Sequence, residues 1–156
     1  MKILKSSAQE YASHMRILRG TYPIDLAKSN SIPVEKIRKQ ILKQLRLPKG
    51  QKTPNQYFYT IFQEEDRIGY LWLEKRKIGH LFISHIYIFS RYRSKGFGSR
   101  VMKWIQSKAR SMNCTEVRLR VFGHNDRAID FYNRCGFLHT SISLKKRVPE
   151  KTRTAD

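Results

Sequence analysis

The stretch Ile86-Tyr87-Ile88-Phe89-Ser90-Arg91-Tyr92-Arg93-Ser94-Lys95-Gly96-Phe97-Gly98-Ser99 decides the reading of this chain. Its first half ends a run, 81–89, that is apolar on both faces, as expected of a central strand covered on each side. Its second half is a compact loop with two glycines and three cations, and a helix starts inside it, carrying Phe97, Val101, Trp104, Ile105 and Met112 on one face. A buried strand feeding a glycine loop that opens a helix is suited to phosphate. Glycines let the backbone approach closely, unpaired N–H groups point outward, and the helix N-terminus adds positive potential. Arg93 and Lys95 can add charge-assisted contacts. A Walker loop, G-x-x-x-x-G-K-[ST], is absent, and so is the three-glycine dinucleotide turn in an early strand–helix unit.

Downstream, 116–122 reads as a strand and Gly123-His124-Asn125 as its punctuation. Asn125 caps a short helix that runs through Cys135, Gly136 closes it, and 137–144 reads as a last strand. Upstream, 1–5 suits a short strand. Ser6 and Ser7 then cap a helix whose stripe is Ala8, Tyr11, Ala12, Met15 and Leu18, with Gly20 and Pro23 predicted to end it. Pro33 opens a second helix with the stripe Val34, Ile37, Ile41 and Leu45, stopped by Pro48 and Gly50. Residues 57–63 and 67–74 read as a hairpin turning at Glu65-Asp66, and residues 77–79 as the next turn.

The loop R-x-x-G-x-G after a hydrophobic strand, here Arg93 to Gly98, resembles the acetyl-CoA motif of the GNAT N-acetyltransferase superfamily. One helix and one strand later that family places an Asn, an Ala, an aromatic pair and Gly-Phe; here these are Asn125, Ala128, Phe131-Tyr132 and Gly136-Phe137. Leu47-Pro48-Lys49-Gly50, Thr53-Pro54 and Gly69-Tyr70-Leu71-Trp72-Leu73 also look like bacterial members. The sequence departs from the pattern at Ser94, often Gly, and at Ser90-Arg91, where a Pro is common. The resemblance implies an α/β (mixed α+β) fold, a twisted mixed sheet with helices on both faces and two splayed parallel central strands. It implies one domain, with 1–52 on the acceptor side, 53–144 as sheet and acetyl-CoA core, and 145–156 as a basic tail. The backbone of Ile86 to Ile88 would pair with the pantetheine arm as an added strand does. Amides from Arg93 through Ser94, Lys95, Gly96, Phe97, Gly98 and Ser99 would hold the pyrophosphate. Asn125 would contact the cofactor, and Tyr132 would face the acetyl sulfur as general acid, while Phe131, about 100° away on the helix, serves the core.

Five histidines show no metal-ligand spacing, so no metal site is expected. His85 lies on the strand that would flank the acetyl group, where related enzymes often carry an acid, and an imidazole there can take the amine's proton. A core histidine is the competing reading, and Glu74 is a weaker candidate base. Cys114 and Cys135 are too few and too far apart for a disulfide framework or zinc ribbon; for a covalent route, Cys135 precedes a helix-ending glycine and reads as buried, and Cys114 sits at a helix end with no His nearby in sequence. No apolar run is long enough to span a bilayer and no signal-peptide core forms near Met1, so a soluble, cytoplasmic protein with no membrane partner is expected. The oligomeric state stays open, a homodimer being the form many relatives take.

Thirty-two Lys and Arg against twelve Asp and Glu give +20. Lys36, Lys39, Lys43 and Arg46 gather on the outer face of the second helix. That points to an anionic partner such as RNA or a ribosomal particle, or to a solvated face in a Lys-rich proteome. Two functions stay in view: transfer of acetyl from acetyl-CoA to a primary amine of a small molecule or protein, and a non-catalytic basic module that binds nucleic acid or senses CoA. At this charge polycations are repelled, so spermidine is expected to be a poor acetyl acceptor. Efficient turnover of spermidine at low salt, in a steady-state assay against neutral amines, would overturn that expectation.

Overall fold

The computed structural model describes residues 1–76, 79–146 and 148. Its elements are β1 (Lys2–Lys5), α1 (Ala8–Asn30), α2 (Val34–Gln44), β2 (Gln56–Gln63), β3 (Asp66–Arg76), β4 (His80–Ile88), α3 (Phe97–Ser111), β5 (Glu116–Leu119) and α4 (Asp126–Arg134). The sheet runs β1-β2-β3-β4-β5, antiparallel until the parallel pair β4–β5. This is the mixed α+β architecture anticipated from the loop and its flanking elements.

Strand alternation sorts the side chains into two layers. Tyr59 and Ile61 of β2, Leu71 and Leu73 of β3, and Leu81 and Ile83 of β4 pack with Val101, Met102, Ile105 and Ala109 of α3. Phe58 and Trp72 on the opposite face pack with Met15 and Leu18 of α1. Among the described residues no helix is long and apolar enough to cross a membrane.

The start of α1 follows its local signals. Ser7 Oγ accepts from the Glu10 amide at 3.3 Å and Glu10 Oε2 from the Ser7 amide at 2.7 Å, which makes a capping box. Its end does not. The helix passes Gly20 and Pro23 and stops only at Ser31, whose φ of 50° closes the last turn. Pro23 deprives the Arg19 carbonyl of its helical partner, but Pro23 and Ala27 are buried, and that packing overrides the local preference to stop.

Three further expectations shift. The first hairpin turns at Glu64-Glu65, one residue early, because Gln63 pairs with Asp66 and Glu64 takes the left-handed φ of 54°. β5 ends at Leu119 rather than at Phe122. The predicted strand 137–144 does not form: Leu138, Ile142 and Leu144 are 87%, 77% and 91% exposed. The segment is held at its two ends instead. The Phe137 amide bonds the Tyr132 carbonyl at 3.0 Å, and Lys145 Nζ reaches Ser29 O at 2.6 Å at the end of α1. The parallel pair β4–β5 therefore stands with β5 as the edge of the sheet. The turn at Lys77-Ile78 and most of the basic tail lie outside the described residues.

At the β3–β4 seam, a Cβ on Gly69 would run into the Tyr87 carbonyl oxygen and the Ile88 backbone. Gly69→Ala is therefore expected to force the two strands apart and to destabilise by about 1–3 kcal/mol. Thermal unfolding should register this as a Tm lower by roughly 2–10 °C; an unchanged Tm would show that the seam yields freely.

Candidate active site

β4 carries one residue too many for its partner. Ile83 pairs with Leu73 and His85 with Trp72, leaving Ser84 as a bulge. Because side chains alternate, the extra residue reverses the strand's facing. Leu81 and Ile83 point to the α3 layer before the bulge; after it Ile86 and Ile88 do, while His85 turns toward α1. Pairing with β5 also stops at Ile83. From His85 to Ile88 the strand therefore has no β5 neighbour, and its backbone on that side is open to an added extended chain. The Ile88 carbonyl accepts from Arg93 Nε at 2.8 Å, so the open stretch lies toward Ile86.

The glycine loop follows a short 3-10 turn over Ser90–Tyr92. The Arg93 amide closes that turn by bonding Ser90 O at 3.1 Å, so the free donor series begins at Ser94 rather than at Arg93. Gly96 is the N-cap of α3 with φ 78°, and the first amide with an acceptor after it is that of Arg100, on Gly96 O at 3.2 Å. The amides of Phe97, Gly98 and Ser99 are thus first-turn donors without a helical partner. Nothing lies within 4 Å of the place where a Gly96 Cβ would stand. Gly98 serves another purpose: a Cβ there would meet the Phe131 ring at 3.0 Å, so this glycine admits α4 against the start of α3. Ser94 stands at φ 59°, a left-handed conformation that explains why glycine is frequent at this place in the pattern.

α4 closes over the loop. Asn125 Oδ1 accepts from the Ala128 amide at 3.2 Å, the capping role its position suggested. Its NH2 group remains for a ligand. Arg127, which the sequence reading passed over, donates to Ser94 Oγ at 2.8 Å and adds its charge to the loop. Tyr132 packs between Phe131 and Phe137, with ring centroids at 5.2 and 5.5 Å. Burial, with Cys135 adding, pushes its hydroxyl up to about 12, so it stays protonated throughout the working range.

On the α1 side, His85 Nδ1 lies 2.8 Å from His14 Nε2. His14 is fully buried and stacks on Tyr70 with centroids 5.0 Å apart. Burial pulls both rings down, His14 to about 3 with His85 adding, and His85 to about 4. The sequence did carry a signal for His14: it sits on the apolar stripe of α1 beside Tyr11, Met15 and Leu18, where a polar group needs a partner. Glu74 instead pairs with Arg76 at 3.3 Å, and His80 with Glu116 at 3.6 Å. Among the described residues no three metal-ligating side chains gather.

Residues 16–137 match the model of the Acetyltransferase (GNAT) family. The uncharacterized N-acetyltransferase YycN of Bacillus subtilis is 26% identical over 147 residues, covering 90% of this chain and 94% of that one. Its crystal structure superposes with a TM-score of 0.85 at 25% identity, over 96% of this chain and 99% of that one. The spermine/spermidine N(1)-acetyltransferase of Bacillus subtilis is 34% identical over 80 residues, 51% of this chain and 48% of its own. A putative streptothricin acetyltransferase from Bacillus anthracis, crystallised with acetyl coenzyme A, is 27% identical with a TM-score of 0.50, over 54% of this chain and 49% of that one. With a family match that spans most of its length, the chain belongs to the GNAT family of acetyltransferases.

Proposed function

We propose that the protein transfers the acetyl group of acetyl-CoA directly to a primary amine. The observation that carries this reading is the sequence of open donors: the free side of β4 beyond Ile83, then the unpaired amides from Ser94 to Ser99 at the start of α3. An amide-bearing arm fits the first as an added strand, and a pyrophosphate fits the second. Arg127, Arg93 and Lys95 supply charge around the loop, and Asn125 NH2 is available to the same ligand. The acetyl-CoA complex of the streptothricin acetyltransferase relative supports the choice of cosubstrate.

The neutral amine attacks the thioester carbonyl carbon, a C–N bond forms, and the C–S bond breaks. Tyr132 hands its hydroxyl proton to the departing sulfur. The proton lost by the amine goes to solvent, which restores the phenol. A buried phenol held near 12 is a donor that does not ionise at working pH. His85 stands on the acceptor side of β4, facing α1. Charge argues against polyamines while one relative acts on spermine and spermidine by name, so spermidine is the deciding substrate in an acceptor screen. Release of free CoA with an amine present separates the enzyme from a non-catalytic CoA- or RNA-binding module.

Acetyl-CoA at about a hundred times its Kd should stabilise the wild type by about 2.7 kcal/mol, a Tm rise of roughly 5–10 °C. Gly96→Glu should abolish that rise, because its side chain carries negative charge into the pyrophosphate position. Gly96→Asn, which tolerates positive φ, should keep part of it. A Glu variant that is folded yet stabilised as before would place the pyrophosphate elsewhere.

Tyr132→Phe removes only the hydroxyl and should lower kcat about 10²-fold with the acetyl-CoA thermal shift intact. Wild-type kcat, or loss of turnover through loss of binding, would make Tyr132 a packing residue and leave protonation of the thiolate to water.

A further inference from the structure

The His14–His85 pair contains one hydrogen bond that only one proton can make. Two neutral imidazoles joined Nε2 to Nδ1 have two arrangements. In the first, His14 Nε2–H donates to His85 Nδ1; His14 Nδ1 is then a bare lone pair and His85 carries its proton on Nε2. In the second, His85 Nδ1–H donates to His14 Nε2; His14 then carries a proton on Nδ1, and His85 Nε2 is a bare base.

The structure distinguishes them at the far side of His14. Its Nδ1 is buried with no hydrogen-bond partner. The second arrangement would strand an N–H donor there, the kind of orphan that folded proteins most strictly avoid; the first strands only an acceptor. The surroundings also oppose an imidazolium on either ring. The groups facing the pair are Tyr70 on β3, Tyr87 on β4, and Phe58 on β2 with Tyr11 of α1 behind it. The Arg67 guanidinium lies 5.7 Å from the Tyr70 ring and that of Arg93 lies 5.4 Å from Tyr87. Among the described residues neither histidine has a carboxylate partner. A ring buried among aromatics is a poor place to receive the amine's proton.

We infer that His14 is a positioning residue: it donates to His85 Nδ1 and thereby holds His85 as a neutral ring whose Nε2–H is a hydrogen-bond donor rather than a base. Resting on the acetyltransferase reading, this specifies the acceptor. The amine that is acetylated carries a hydrogen-bond-accepting oxygen near its nitrogen, a carbonyl, carboxylate or hydroxyl, which the His85 donor engages; its proton leaves through solvent. The base role suggested by the strand position of His85 is thus replaced by recognition.

Tautomers are read directly by long-range 1H–15N correlation spectra of the full-length protein at pH 7, with His14→Phe and His85→Gln assigning the signals. Both rings are expected in the Nε2–H form; both in the Nδ1–H form would overturn the proposal. Kinetically, His85→Gln keeps a donor and removes any base, whereas His85→Ala removes both. With the best acceptor from an amine screen, Gln is expected to lose less than tenfold in kcat/KM and Ala about a hundredfold. Equal losses would mean that His85 works as a base. In His14→Phe the burial that depresses His85 remains while the bond that fixes its tautomer is lost, so an Nδ1–H form of His85 should appear in the spectra and kcat/KM should fall; an unchanged tautomer with unchanged kcat/KM would deny His14 a positioning role. The spectra test the pair even if no amine is acetylated, and failure of the acetyl-CoA thermal shift would indict the acetyltransferase reading alone.

Discussion

Ser84 has no partner across the β3–β4 ladder, and most of the site's geometry follows from that single unpaired residue. Without it, the alternation begun by Leu81 and Ile83 would carry His85 into the α3 layer, against Val101 and Ile105. The bulge instead gives Ile86 and Ile88 to that core and turns His85 toward His14. β4 parts from β5 at the same level, which leaves its outer backbone without a ladder. The break in parity re-aims every side chain after Ile83, and it falls beside the open backbone.

The second organising contact is Phe131 on Gly98. It seats α4 against the first turn of α3, which brings Arg127 to Ser94. The two glycines of the loop therefore do different work. Gly96 adopts a left-handed conformation and leaves space outward, where a ligand can approach. Gly98 leaves space inward, where a neighbouring helix already stands.

Features coded by neighbouring residues were legible in the sequence. The cap at Ser6-Ser7, the Asn125 cap and the glycine-initiated α3 all rest on contacts a few residues apart, and so do the motifs that mark the family. What escaped was decided across the fold. Burial of Pro23 carried α1 past two residues that ordinarily stop helices. The bulge at Ser84 is set by register with β3, and nothing in the run 81–89 announces it. His14 gained meaning from His85, 71 positions away. The alternating apolar pattern of 137–144 predicted a strand, yet the chain there is tethered at Tyr132 and Ser29 and leaves β5 at the edge.

The buried histidine pair also ties the fold to acid. In the folded chain these rings stay neutral down to about pH 4 and about pH 3; in the unfolded chain each takes a proton near its ordinary value of about 6.5. Between those limits unfolding consumes up to two protons at this one place, so every step of acidification below about pH 6.5 shifts the balance toward the open chain. The contribution is fully present above that value and fades as pH falls. A chain whose net charge is already +20 gains still more positive charge as it acidifies, so self-repulsion and proton uptake act in the same direction.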